Sequence, residues 1–284
     1  MTDLLEPFSY DFMLIAFAIT TVASVVCAVI SCWLVLIGWS LMGDAVSHAV
    51  LPGVVLAYLV GAPFSIGALV FGLLAVVLIG VVRSTSRIRE DAAIGIVFTT
   101  LFALGLALIS VTPSQTDLSH IVFGNVLGVS DGELLQVAVI GTAVLAVLLL
   151  KRRDLTLFAF DPAHAHTIGL SPARLSALLL GLLALTTVVA LQVVGVILVV
   201  AMLIIPGATA HLLTDRFDRM LWIAPVSAAG CGVVGIYVSY VVDASPGALV
   251  VLAQGSLFAL VYLGAPERGV IAQLRRRSSP DPVA

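Results

Sequence analysis

Residues 43–61 read GDAVSHAVLPGVVLAYLVG, and two side chains in them, Asp44 and His48, decide how the chain is read. Between Phe12 and Val82 no other Asp, Glu, Lys, Arg or His occurs. The surrounding stretch is apolar enough for a bilayer, where an ionisable side chain at helix centre costs roughly 2.5–3.5 kcal/mol on insertion scales. At a spacing of i and i+4, Asp44 and His48 share one helix face, one turn apart. A carboxylate and an imidazole so placed form half of a transition-metal site.

Outward from this stretch the whole chain has a membrane composition. Hydrophobic residues make up 61% and charged residues 10%, against ~25% charged in an average soluble domain, and mean hydropathy is +1.21. The fold class is an all-α polytopic membrane protein. Spans of about 20 residues with short connections allow about eight or nine helices and no sizeable soluble domain. The apolar runs fall at 12–38, 45–61, 65–82, 92–111, 133–150, 173–190, 194–213, 221–241 and 247–264. Only Gly61-Ala62-Pro63 separates the second from the third, so these are two crossings or one crossing plus a re-entrant piece. Residues 1–277 are expected to form one transmembrane domain, followed by a disordered Ser- and Pro-containing tail at 278–284. Cys27, Cys32 and Cys231 lie inside apolar runs and read as small buried hydrophobes.

Basic residues orient the spans. Arg83, Arg87 and Arg89 form one cluster, and Lys151, Arg152 and Arg153 a second; Arg216 and Arg219, then Arg275, Arg276 and Arg277, complete the set. The connections at 112–132, near Gln192 and at 243–246 carry no Lys or Arg. Alternating spans put every basic cluster on one side, which the positive-inside rule makes cytoplasmic, together with the C-terminus. The first residues carry Asp3, Glu6 and Asp11 and lack the positive region of a cleavable signal peptide.

The longest inside connection reads KRRDLTLFAFDPAHAHTIGLSPARL. Asp161 suits an N-cap, Pro162 the first helical position and Gly169 the stop, which predicts a short helix over 162–168. Such a helix is a docking element for a soluble partner. The chain has a single lysine, Lys151, and no phosphate-binding G-x-x-x-x-G-K-[ST] run, so it is not itself a P-loop ATPase. Zinc-protease, thiol-redox and serine-hydrolase motifs are equally missing, and the chain is not expected to be an enzyme.

Residues 43–61 resemble the permease subunit of ABC importers for manganese, zinc or iron, with its G-D-A-x-S-H-A-x-x-P-G run. LSHIVFGNVLGVS at 118–130, FDPAHAHTIGLS at 160–171 and VVGVILVVAMLIIPGATAHLL at 193–213 are similar to further segments of that family, the second of them to its coupling-helix loop. The resemblance implies a type II importer fold with two permease subunits, as a homodimer or with a paralogue. It further implies two cytoplasmic ABC ATPase subunits and an extracytoplasmic metal-binding protein. It assigns metal contact to Asp44 and His48, and ATPase coupling to the loop holding Asp161, Pro162, Ala165 and Gly169. The metal, manganese first with zinc or iron as alternatives, is cargo; no permanently bound cofactor is expected. Lipid is the other expected contact, and nucleic acid is not a partner. His120 receives no role from the resemblance.

Other readings stand beside these. Asp44 also suits a helix cap, and His48 a neutral histidine bonded to a neighbouring helix. Two ligands per subunit bind an ion weakly, whereas a two-fold dimer brings together two Asp and two His. Weak binding is what a permeation path needs, so the pair reads as a gate. An ATP-independent secondary transporter or channel is the alternative; it usually carries further intramembrane carboxylates. His164 and His166, at i and i+2, point to different faces, and His211 reads as structural. Pro206-Gly207 reads as a kink or a close helix approach. Asp117 and Asp131 steer cations or are simply solvated, and Asp243-Ala-Ser-Pro-Gly is a turn.

Overall fold

The computed structural model describes residues 6–112, 128–129, 131–265 and 269–270. Asp117, His120, Arg275 to Arg277, the tail from 278 and most of the 118–130 segment lie outside the described residues, as does the side chain of Asp131. The described residues form helices joined by short connections, with no strand among them.

Long apolar runs become helices because a bilayer leaves backbone N–H and C=O groups no partner but each other. The spans are α1 (Asp11–Ile37), α2 (Ser40–Ala49) continued by α3 (Leu51–Val60), α4 (Phe64–Thr85) and α5 (Glu90–Val111). After the outer connection come α6 (Asp131–Leu150), then the short α7 (Arg152–Phe160) and α8 (Pro162–Thr167). The chain closes with α9 (Pro172–Val194), α10 (Val196–Leu213), α11 (Phe217–Val242) and α12 (Pro246–Gly264). Counting α2 and α3 as one crossing, 9 segments among the described residues are long and apolar enough to span a membrane. Residues 40–60 and 64–85, on either side of the Gly61-Ala62-Pro63 turn, are each long and apolar enough for a full crossing.

Proline and glycine punctuate these helices as the sequence predicts. Gly38, at φ 88°, ends α1 and donates its N–H to the Leu34 and Val35 carbonyls. Gly61, at φ 70°, ends α3 in the same way, and the Ala62 N–H reaches the Ala57 carbonyl at 2.9 Å. Pro52 has no N–H to offer the His48 carbonyl, so the second span is broken at Val50 into α2 and α3.

Burial separates core from lipid-facing helices. In α1 and in α2–α3, 67% of the most apolar window is buried, against 22% in α4 and α6 and 17% in α12. Helix α1 is the central post, packed against α10, α11 and α6. Its Cys27 and Cys32 are free thiols fully enclosed in the core, and Cys231 of α11 is also free and buried.

Three of the basic clusters meet at one end. The Arg83 guanidinium lies 5.7 Å from the Trp39 ring, Trp39 packs on Phe158 at 6.3 Å, and Arg152 reaches Asp218 at 3.5 Å. The start of α2, the end of α4, α7 and the start of α11 thus share one face of the bundle.

Candidate functional site

Helix α2 starts at Ser40, with Trp39 before it, so Asp44 is a helix-interior residue and not its cap. This corrects the capping alternative: the orphan N–H groups of α2 lie a turn earlier. Relieved of that duty, the Asp44 carboxylate turns along the helix to His48. The His48 Nδ1 lies 3.2 Å from Asp44 Oδ1 and 3.1 Å from the Asp44 carbonyl oxygen. Both neighbours are acceptors, so Nδ1 carries the proton as the donor, and in the neutral ring Nε2 keeps its lone pair. A carboxylate that holds one imidazole nitrogen and leaves the other free is the arrangement that orients histidine ligands toward metals.

The supports of this pair are local. Ser47 donates its hydroxyl to the Gly43 and Asp44 carbonyls, each at 2.9 Å. Phe98 and Phe102 of α5 meet the His48 ring edge-on, with centroids at 5.2 and 5.3 Å, and hold its plane. Sequence reasoning passed over these two phenylalanines. The signal for them is their i, i+4 spacing in FTTLF, two spans further along the chain, but nothing in that spacing says which helix they face.

The pair remains open. The His48 and Asp44 side chains are 27% and 31% exposed, so an ion or a neighbouring chain can reach both. At 1.5 Å per residue, Asp44 and His48 stand about 8 and 14 Å along the axis from Trp39, in the half of the span nearer the basic end. Among the described residues no three His, Cys, Asp or Glu side chains converge on one point.

The short helix predicted after Asp161 forms with the caps expected from its residues. Asp161 caps α8, its carboxylate accepting from the His164 backbone N–H at 2.9 Å. Pro162 takes the first helical position, and Gly169 follows the helix at φ 88°. The helix ends at Thr167, one residue short of the predicted stop. Asp161, Pro162, His164, His166 and Gly169 are exposed, whereas Ala165 is fully buried and seats α8 on its neighbours. Helix α8 packs on α7 and α9, away from α2, so the structure does not bring the two predicted sites together.

A membrane bundle with an Asp/His pair inside one span and a capped helix at its basic end matches a known group. Residues 9–265 fit the model of the ABC 3 transport family. The chain belongs to the ABC 3 transport family. Similar proteins include the manganese transport system membrane protein MntB of Synechocystis, 51% identical over 280 residues, covering 98% of this chain and 92% of that one. The chelated iron transport system membrane protein YfeC of Yersinia pestis is 45% identical over 282 residues, covering 98% and 96%. Among solved structures, PsaBC of Streptococcus pneumoniae, in complex with Fab, superposes with a TM-score of 0.86 at 37% identity, covering 96% of this chain and 98% of that chain. This ABC 3 chain is thus a multi-pass membrane permease of the manganese, zinc and iron ABC importer family.

Proposed function

We propose that this permease carries a divalent transition metal, manganese first and zinc or iron as alternatives, across the cell membrane, with Asp44 and His48 as the metal-contacting gate. The observation that carries the reading is the partly exposed, pre-oriented Asp44–His48 pair in a span that holds no other Asp, Glu, Lys, Arg or His. A carboxylate oxygen and an imidazole nitrogen suit manganese, ferrous iron and zinc. Two such pairs facing each other across a two-fold axis supply four ligands, so a second permease subunit, identical or paralogous, completes the site. The names of the relatives, a manganese system and a chelated iron system, support that cargo class.

Energy comes from separate ATPase chains in this reading, since the chain has no phosphate-binding loop. One of the two cytoplasmic ABC ATPases docks at the α8 of each permease subunit, where exposed Asp161, Pro162 and Gly169 flank a helix seated through Ala165. An extracytoplasmic metal-binding protein delivers cargo to the opposite end. The basic end faces the cytoplasm, as does the C-terminal side of α12, and residues 1–277 act as one transmembrane domain.

Uptake into proteoliposomes holding the permease, its ATPase and its binding protein tests this. ATP-dependent uptake that disappears in Asp44→Ala and His48→Ala, with normal assembly, is the expected result. Full uptake in both variants would remove the pair from the path, and uptake indifferent to ATP would favour a secondary transporter.

A further inference from the structure

Helix α10 is weakened at Pro206, which has no N–H for the Met202 carbonyl. A hydroxyl from α1 is inserted at that turn. Ser31 Oγ accepts the Gly207 N–H at 3.0 Å and donates to the Ile204 carbonyl at 3.4 Å. The contact is close because residue 207 is glycine: a Cβ there would lie 2.6 Å from the Ser31 carbonyl oxygen. One turn back on the same face of α10, Leu203 packs on Gly43, and a Cβ at Gly43 would lie 2.9 Å from Leu203 Cδ1. Gly43 immediately precedes Asp44, and its carbonyl accepts the Ser47 hydroxyl at 2.9 Å. Ser31, Ile204, Gly207 and Leu203 are therefore consecutive contacts leading from the central post to the turn that carries the metal pair.

We propose that Ser31 is a positioning residue for transport: its hydroxyl pins the Pro206 turn of α10, and Leu203 passes that position through Gly43 to Asp44 and His48. The proposal rests on the reading of Asp44 and His48 as the metal contact. Coordination geometry is what separates manganese from zinc when the ligand types are the same. A shift of α2 against α10 therefore changes which ion is carried before it changes whether the protein folds. Ser24 provides an internal comparison. It lies on the same helix α1 and also faces α10, with its hydroxyl 3.8 Å from the Met202 sulfur, but it makes none of the described hydrogen bonds to Ile204 and Gly207 that Ser31 makes.

The test is the ratio of manganese to zinc uptake by the assembled importer in proteoliposomes, with thermal unfolding of each variant in detergent alongside. Ser31→Ala and Leu203→Ala are expected to shift the ratio by about 2- to 30-fold, the range produced by substitutions along coupled contacts, and Ser24→Ala to leave it unchanged. Leu203→Ala keeps the test open if Ser31→Ala does not assemble, since it breaks the relay without touching the hydroxyl. An unchanged ratio in both Ser31→Ala and Leu203→Ala, with Asp44→Ala inactive, overturns the relay and leaves the metal pair standing. An equal shift in Ser24→Ala overturns it as well, because any loosening of α1 against α10 would then suffice. Full uptake by Asp44→Ala would instead defeat the reading of the pair, and the relay with it.

Discussion

Gly53 of α3 and Gly67 of α4 cross so closely that a Cβ on either would overlap the carbonyl oxygen of the other. Small residues let membrane helices approach backbone to backbone, where packing rather than the hydrophobic effect holds them. Here the crossing fixes the outer half of the broken second span, while Leu51 and Pro52 at the break rest on Gly105 of α5. Gly67→Ala is expected to force α3 and α4 apart and to destabilise the protein by about 1–3 kcal/mol, the usual cost of overpacking. Thermal unfolding in detergent reads this directly, and an unchanged midpoint would mean that the two backbones separate freely.

Phe98 and Phe102 hold the His48 ring edge-on from α5. Each aromatic contact of this kind contributes about 0.5–1.5 kcal/mol beyond burial. Phe98→Ala lets the ring turn away from its donor geometry, so the apparent KM for metal uptake is expected to rise about 2- to 12-fold, that energy expressed as a ratio. A KM equal to wild type would show that Asp44 alone orients the imidazole.

The cap on α8 separates docking from transport. Removing the Asp161 carboxylate leaves the His164 N–H without its partner and costs about 1 kcal/mol of helix stability. Asp161→Ala is expected to lower metal-stimulated ATP hydrolysis, and Asp161→Asn, which keeps an acceptor oxygen, to restore it. Equal hydrolysis rates in all three proteins would remove α8 from the coupling surface.

Gln254 of α12 is buried beside Pro206, Thr209, Ser227 and Cys231. Neither end of its amide has a partner among the described residues. An unpaired buried amide costs about 1–3 kcal/mol, so Gln254→Leu is expected to raise the unfolding midpoint. A lower midpoint would mean that the amide is satisfied in the assembled protein by a group from outside the chain.

Much of this protein was readable from its residues because a bilayer is an unforgiving solvent. Apolar runs of the right length have no alternative to helix, and the positions of the nine spans differ from the expected ranges by only a few residues at their ends. The α8 cap was readable for a similar reason: Asp161, Pro162 and Gly169 each act on the backbone beside them. The i, i+4 geometry of Asp44 and His48 is equally local, set by the helical period alone. What the sequence could not reach depends on which helices become neighbours. Periodicity started the second span at residue 45, which left Asp44 free to be read as a cap, whereas the helix starts at Ser40, just after Trp39, which packs on Arg83 and Phe158. That Phe98 and Phe102 face His48 and that Ser31 enters the Pro206 turn are outcomes of tertiary contact. These pairings join residues up to 176 positions apart in the case of Ser31 and Gly207. A chain that is apolar on nearly every helix face carries little amphipathic signal to say which faces meet; close packing of small residues at each crossing decides it.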